Sequence, residues 1–214
     1  AVLEQVAKTF SSENCPELMA QEVAATWQEY VDYQDIRVLE IGMDLAYFDH
    51  LKRLAKDLGH PLLESLVTLT IDCYNVITVE RALSLKKPGS FMKQLLSDAG
   101  TLSAREVIQC VEQRNLISWF QQVNPLPYDV ELSRYEEQMR AGRVSAETVE
   151  YLEHMIKHRI LEQASFETDG PLPLAHYLFG KELEVKNLRL VLTGLDNQLP
   201  IDKIKERMRP IYGQ

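Results

Sequence analysis

Two histidines and two glutamates at regular spacing form the pattern in this sequence that most resembles a chemical site. Glu150, His154, His158 and Glu162 follow one another four residues apart. On a helix this spacing places His154 and His158 on one face, where two imidazoles could hold a metal ion. The H-E-x-x-H signature of zinc hydrolases is absent. We therefore expect an ordinary solvated helix face here, and a metal-dependent helical enzyme is the alternative.

A second pattern is a carboxylate followed three residues later by an asparagine, inside two long apolar segments. Asp72 and Asn75 form the first pair, and Glu184 and Asn187 form the second. Residues three apart share a helix face, and an unpartnered polar group in an apolar environment costs about 1–3 kcal/mol. We expect these groups to fasten their helices to neighbouring elements, with Arg81 as a possible counter-charge. No nucleophile or second base nearby supports a catalytic role.

The elements that carry these residues are predicted to be helices throughout. Helix starts are indicated by Pro16, Pro61, Ser145 and the Ser103–Glu106 capping box, and helix ends by Gly59 and the Pro88–Gly89 pair. No convincing alternating strand is found, so the predicted fold class is all-α. One predicted helix runs from Pro16 through Trp27. The others cover residues 43–58, 61–87, 103 to about 119, 145–164, a long segment within 171–200, and 201–208.

The two long apolar helices are related by a shift of 112 residues. Without a gap, the 28 positions from Pro61 to Pro88 contain seven identities with the segment from Pro173 to Pro200. Asn75 falls on Asn187, and prolines bracket both segments. We infer a duplication, with one helical repeat unit over residues 1–102 and a second over residues 103–214.

Composition limits the classes of function. The chain has 214 residues and a net charge of −9, which disfavours general binding of nucleic acid. Its three cysteines, Cys15, Cys73 and Cys110, are far apart, which fits a reducing, cytoplasmic compartment rather than a disulfide framework. Glu64, Asp72 and Asn75 interrupt the most apolar stretch, so no transmembrane helix and no direct membrane insertion are expected.

The segment "IDCYNVITVERAL" resembles the repeated I-D-x-x-N helix of the C/d family of rotary V/A-type ATPase subunits. The C-terminal segment "EVKNLRLVLTGLDNQLPIDKIKERMRPIY" is similar to that family's closing segment. The matching residues there are Asn187, Leu188, Arg189, Gly194, Asn197, Leu199, Pro200, Arg209 and Tyr212. Leu195 departs from the family, which commonly has a basic residue at that position.

This resemblance implies a funnel-like fold of three related helical units. This chain shows two of them, and we expect it to be a fragment that lacks the N-terminal third. It also implies a non-catalytic protein without cofactor. Such a protein would couple the central shaft to the membrane rotor ring in ATP-driven or ATP-forming ion transport, from the cytoplasmic face of the membrane. The alternative from the residues alone is a cytoplasmic helical scaffold or adaptor with an unrelated partner.

Overall fold

The computed structural model describes residues 16–123, 130–141 and 144–211, together with Thr9. These residues form ten α-helices and one 3-10 turn, and no strand occurs among them, so the predicted all-α fold is confirmed. The helices are α1 Glu17–Tyr33, α2 Ile36–Leu58, α3 Pro61–Ser84, α4 Gly89–Leu95, α5 Ala104–Glu112, α6 Ile117–Val123, α7 Val130–Arg140, α8 Ala146–Glu162, α9 Leu172–Asp196 and α10 Ile201–Glu206; the 3-10 turn is Gln163–Phe166.

Capping residues explain several of these boundaries. The side chain of Ser103 accepts a hydrogen bond from the backbone N–H of Glu106, whose carboxylate accepts one in return, so the predicted capping box begins α5. Ser145 caps α8 by accepting from the N–H of Thr148. Gly59 ends α2 in the left-handed conformation, with φ of 62°, which glycine adopts without steric cost.

Some boundaries differ from the prediction. The helix expected from Ser103 to Trp119 is two helices, because Arg114 between them takes a positive φ of 54°. The third helix ends at Ser84 rather than at residue 87, and a positive φ of 55° at Lys86 turns the chain. Sequence reasoning also missed α4 and α7. The sequence "NPLPYD" from Asn124 also predicts a loop, and it lies outside the described residues.

Helix α3 lies at the centre of the fold. It packs against α2 on one side and against α5 and α8 on others. Its nine buried residues include the polar Asp72 and Asn75. One continuous apolar core extends from α3 through α5 and α8 to the beginning of α9. This core contains residues from both of the predicted repeat units, 1–102 and 103–214.

The apolar character of α3 corrects one expectation. By length and composition this helix could cross a membrane, contrary to the expectation that no transmembrane helix is present. The centre of a helical bundle selects the same composition, because neighbouring helices cover such a helix on most sides. The packing of α3 against α2, α4, α5 and α8 accounts for its composition in this way.

Candidate functional site

Asn75 joins α3 to the segment that follows α4. Its side-chain Nδ2 donates to the carbonyl oxygen of Ser97 at 2.8 Å, and its Oδ1 accepts from the N–H of Ser97 at 3.0 Å. Both residues are buried. A side-chain amide offers a donor and an acceptor side by side, so it can satisfy both backbone groups of one residue in a segment with no regular structure.

Asn187 makes the same pair of contacts on α9. Its Nδ2 donates to the carbonyl oxygen of Arg209 at 2.9 Å, and its Oδ1 accepts from the N–H of Arg209 at 2.9 Å. In each case the bonded residue lies 22 positions after the asparagine. We call the Asn75–Ser97 and Asn187–Arg209 pairs the asparagine clamps.

The backbone around the two clamps is also alike. Lys86 and Gln198, which follow α3 and α9, both have a φ of 55°. The N–H of Lys87 donates to the carbonyl of Ala82 at 3.0 Å, and that of Leu199 donates to Gly194 at 2.8 Å. Each of these residues corresponds to its counterpart under the same sequence shift that relates Asn75 to Asn187.

The two carboxylates that precede the asparagines differ in their contacts. Asp72 is buried, and its Oδ1 accepts from the N–H of Thr101 at 2.7 Å, while its Oδ2 has no hydrogen-bond partner among the described residues. Burial raises the pKa of this carboxyl. Glu184 is instead partly exposed and pairs with Lys181 at 2.8 Å on its own helix. The sequence correspondence of Asp72 and Glu184 therefore does not extend to their surroundings.

Arg81, the expected counter-charge of Asp72, lies near a different carboxylate. Arg81 is exposed, and its charge acts on Glu147 of α8, where it contributes to a lowered carboxyl pKa behind the larger effect of hydrogen bonds from Ser145. The cation whose charge acts on Asp72 is Lys52. Arg81 as the counter-charge of Asp72 was therefore wrong.

His154 on α8 contacts the side chain of Arg209, a member of the second clamp. Its ring Nδ1 accepts from Nε of Arg209 at 2.9 Å, and its Nε2 lies 2.7 Å from Nζ of Lys186. The side chain is only 3% exposed, so the expected solvated helix face was wrong at this position. Burial, followed by the charges of Lys186, Arg209 and Lys157, lowers the pKa of His154 to about 3 and keeps the ring neutral at physiological pH.

These contacts disfavour the metal-site alternative. Both ring nitrogens of His154 face cationic side chains, which repel a metal ion. His158 points to a different group, with its Nδ1 3.7 Å from Glu162 Oε1. Among the described residues, no group of three or more histidines, cysteines or acidic residues could hold a metal.

Sequence reasoning found both asparagines but not their partners. Ser97 and Thr101 are bonded through their backbone N–H groups, so their side chains gave no signal. Arg209 was noted only for its resemblance to a family arginine, and Lys186 was not noted at all. Shifting Ser97 by the repeat interval gives Arg209, and this could have predicted the second partner once the first was known.

A family model described as the ATP synthase (C/AC39) subunit matches residues 2–207. The chain belongs to this family. It is 29% identical over 177 residues to the C subunit of a V-type sodium ATPase from Enterococcus hirae, covering 81% of this chain and 52% of the relative. It is 23% identical over 175 residues to the C subunit of an A-type ATP synthase from Pyrococcus horikoshii, covering 80% and 47%.

The chain thus spans about half the length of the curated relatives that it matches. No solved structure gives a significant match. The matched family is that of an accessory subunit of a rotary ATPase, which is a membrane-associated complex. Asn75, Ser97, Asn187 and His154 lie within the matched residues, and Arg209 lies two positions beyond them.

Proposed function

We propose that this chain is a non-catalytic central-stalk subunit of a rotary V/A-type ATPase, where it couples the soluble shaft to the membrane rotor ring. The observation that carries the proposal is the family match over residues 2–207. The names of the relatives, as C subunits of a V-type sodium ATPase and of an A-type ATP synthase, agree with this role. Its partners would be the shaft subunits and the ring, with no nucleic acid and no direct insertion into the lipid.

The mechanical requirement of this role supports the proposal. A part that transmits torque must resist bending and twisting, which long packed helices do better than loops. Helices α2, α3 and α9 have 23, 24 and 25 residues, or roughly 35 Å each. The asparagine clamps fix the segments that follow α4 and α10 to α3 and α9, so that each long helix is tied to the chain beyond the next short helix.

The polar groups in the interior support a non-catalytic role. The side chains of Asn75 and Asn187 bond to backbone groups, and the side chain of Arg209 donates to His154. His154 is held neutral by burial and by the cations around it, which leaves it a poor base. Chemistry in such a complex would then be supplied by other subunits, and this chain would require no cofactor.

The division into tandem units is also part of this proposal. We place one helical repeat unit at residues 1–102 and the second at residues 103–214, as two units of a funnel-like fold. The support is the equivalence of the clamps and of the turns after α3 and α9. Helix α4 follows α3 at the same interval at which α10 follows α9, and a proline precedes each of these short helices.

The test of the coupling role is affinity capture from the native complex. The chain is immobilised and exposed to detergent-solubilised membranes of its source organism, and retained proteins are identified by mass spectrometry. We expect the ring and shaft proteins to be retained together. An immobilised helical protein of similar size and net charge is the control, because an acidic surface alone can retain basic proteins.

The alternative is a cytoplasmic helical scaffold with an unrelated partner. It would be favoured if the chain reproducibly retained another protein and neither ring nor shaft proteins. Excess soluble chain added before capture should prevent retention of the ring and shaft proteins if their binding is specific. Failure of that competition would contradict the coupling role as well.

A further inference from the structure

A pocket of about 480 Å³ lies between α3, the segment at Thr101, α6 and α8. This volume is within the range of small-molecule binding sites. The apolar part of its wall consists of Leu69, Val123 and Ile160. Residues from both predicted repeat units line the pocket, so it is formed within this chain rather than on an outer face.

Asp72 lines this pocket and has one oxygen without a partner. Its side chain is only 1% exposed. Oδ1 accepts from the N–H of Thr101 at 2.7 Å, but Oδ2 accepts no hydrogen bond from the described residues. A buried carboxylate oxygen in this state is costly and points to a bound water, ion or ligand. Asp72 therefore requires a donor that these residues do not supply.

The hydroxyl groups at the pocket are arranged to accept hydrogen bonds. Oγ of Ser65 donates its proton to the carbonyl of Pro61 at 3.0 Å, and Oγ1 of Thr68 donates to the carbonyl of Glu64 at 2.8 Å. Both protons are thus used within α3, and the lone pairs of the two hydroxyl oxygens remain as acceptors. The carboxylate of Glu64 is a further acceptor in the lining. A matching occupant must be a donor of hydrogen bonds.

The charges at the pocket favour a positively charged occupant. Lys52 of α2 donates from Nζ to Oγ1 of Thr68, and its charge acts on Asp72, yet it does not bond Oδ2 of that residue. Glu64 and Asp72 together carry two negative charges against the one positive charge of Lys52. One further monovalent cation would make these groups neutral as a set.

Two ion pairs beside the pocket do not reverse this sign. Glu153 and Lys157 of α8 pair at 2.5 Å, so their charges cancel. Oε2 of Glu167 lies 3.4 Å from Nε2 of His60, the residue before Pro61. This second pair is neutral when His60 is protonated and negative when it is not. The surroundings therefore add either no charge or a further negative charge.

The repeated fold does not require this set of oxygens. Under the repeat shift, Thr68 and Asp72 correspond to Gly180 and Glu184. Glu184 is partly exposed and pairs with Lys181 of its own helix. Helix α9 is thus formed without a hydroxyl and without a buried carboxylate at these positions. The need to form the long helix of a unit does not by itself explain the buried Asp72.

We propose that this pocket binds a small aliphatic amine in its ammonium form. The ammonium group would donate to Oδ2 of Asp72, and its other N–H groups would face Ser65 and Glu64, which lie on the same face of α3. Hydrogen bonds between an ammonium group and a carboxylate are among the stronger ones in proteins. The alkyl part would lie against the apolar wall of the pocket.

The first test uses three small probes in an NMR titration of the purified chain. Butylammonium has both the charge and the N–H donors, butan-1-ol has a similar length without the charge, and tetramethylammonium has the charge without a donor. We expect saturable binding of butylammonium, with the other two probes at least roughly tenfold weaker. Equal affinity for butylammonium and butan-1-ol would overturn the proposal.

Variants of the pocket locate the binding site. Asp72→Asn preserves the shape but removes the charge, and should weaken butylammonium binding at least roughly tenfold. The matched control is Asp98→Asn, because Asp98 lies on the same segment as Thr101 and is exposed, and does not line the pocket. Its affinity should stay within about twofold. Unchanged affinity in Asp72→Asn would overturn the proposal.

A second variant keeps the test valid if Asp72→Asn does not fold. Ser65 is exposed at the edge of the pocket, and Ser65→Leu should obstruct the pocket from that position. We expect this variant to fold and to lose butylammonium binding. Circular dichroism melting checks the fold of every variant. A folded Ser65→Leu protein that binds as well as the unaltered chain would contradict this location.

Lys52→Gln tests whether an amine of the chain itself is the occupant. Removal of this neighbouring positive charge should strengthen butylammonium binding, because like charges repel. If the unaltered chain showed no saturable binding, the proposal would be overturned. Binding by Lys52→Gln alone would then identify Lys52 as the group that serves Asp72. These outcomes do not depend on the proposed role in the ATPase.

Discussion

Arg209 donates from its side-chain Nε to Nδ1 of His154 at 2.9 Å, and its backbone is held at the same time by Asn187. One residue near the end of the described chain therefore fixes both α8 and α9. The first clamp has no such third partner, since under the 112-residue shift Ser97 stands at the position of Arg209 and Gly42 at that of His154. The second clamp therefore includes a polar link to α8 that the first clamp lacks.

Replacement of the clamp asparagines should destabilise the protein. Asn75→Ala leaves the N–H and carbonyl of Ser97 without partners in the interior, so we expect a loss of about 2–4 kcal/mol in the free energy of unfolding. Asn187→Ala should cost about 1–3 kcal/mol, because its partner Arg209 is only partly buried. Urea unfolding followed by circular dichroism measures both values.

The matched control for the clamps is Asn197→Ala. The side chain of Asn197 also donates to a backbone carbonyl, that of Thr193 at 2.8 Å, but it does so on the surface. We expect a change within about 0.5 kcal/mol. Equal losses for Asn75→Ala and Asn197→Ala would contradict the structural importance of the clamp.

The repeated sequence pattern indicated that Asn75 and Asn187 bind neighbouring elements, but not which residues they bind. Two asparagines at equivalent places in apolar helices had to find partners, since a buried amide without them is costly. The identity of those partners could not be read, because backbone groups have no sequence signature. Asp72 and Glu184 were expected to have similar surroundings because they occupy equivalent positions. This was wrong because a carboxylate can bind either a buried backbone N–H, as Asp72 does, or a lysine on the surface, as Glu184 does.

The helical fold was easier to predict from the sequence than the burial of individual residues. Capping residues such as Ser103 and Ser145 act locally, so their patterns predict helix starts well. His154 was assigned to a solvated face because charged neighbours surround it in sequence. Lys186 reaches this ring from α9 and Arg209 reaches it from the segment after α10, and neither contact is encoded in the local pattern of α8.

His154 should make the stability of the protein depend on pH. Its pKa is lowered from 6.5 to about 3 in the folded state, so the unfolded chain binds a proton more readily. The folded state is therefore favoured fully above about pH 6.5, and stability falls as the pH decreases from there toward 3. His154→Gln should remove this part of the slope between about pH 7 and 5.

The pH slope is measured by urea unfolding at several pH values in the unaltered chain and the variant. His50→Gln removes a partly exposed histidine from α2 and serves as the matched control, with the slope expected to persist. If His154→Gln retained the full slope, the loss of stability would have to arise from other groups. His158, whose pKa burial also lowers, would then be replaced next.

Gly100 should tolerate no side chain. A Cβ added there would lie 2.3 Å from Oδ1 of Asp72, the oxygen that accepts the N–H of Thr101. Asp72 is buried and cannot move aside without breaking that bond, so Gly100→Ala should lower stability by about 1–3 kcal/mol. Gly89→Ala is the matched control, because a Cβ there meets nothing within 4 Å.

Thermal melting compares these two glycine variants. We expect a clear fall in the melting temperature for Gly100→Ala. For Gly89→Ala we expect no loss and a gain of up to about 1 kcal/mol, because alanine restricts the unfolded chain. A Gly100→Ala protein as stable as the unaltered chain would show that the segment at Thr101 can shift away from Asp72.

Cys73 and Cys110 should differ in reactivity toward thiol reagents. Cys73 is 1% exposed, and burial raises its pKa well above 9.0, whereas Cys110 is only partly buried and its pKa is raised less strongly by the same cause. The thiolate is the reactive form, so Cys73 needs local opening of the core before it can react. In a Cys15→Ser background, we expect Cys110 to be labelled first at about pH 8. Mass spectrometry of digested protein should detect labelling of Cys73 only on the timescale of unfolding, and rapid labelling of Cys73 in the folded protein would contradict the packing of α3 described above.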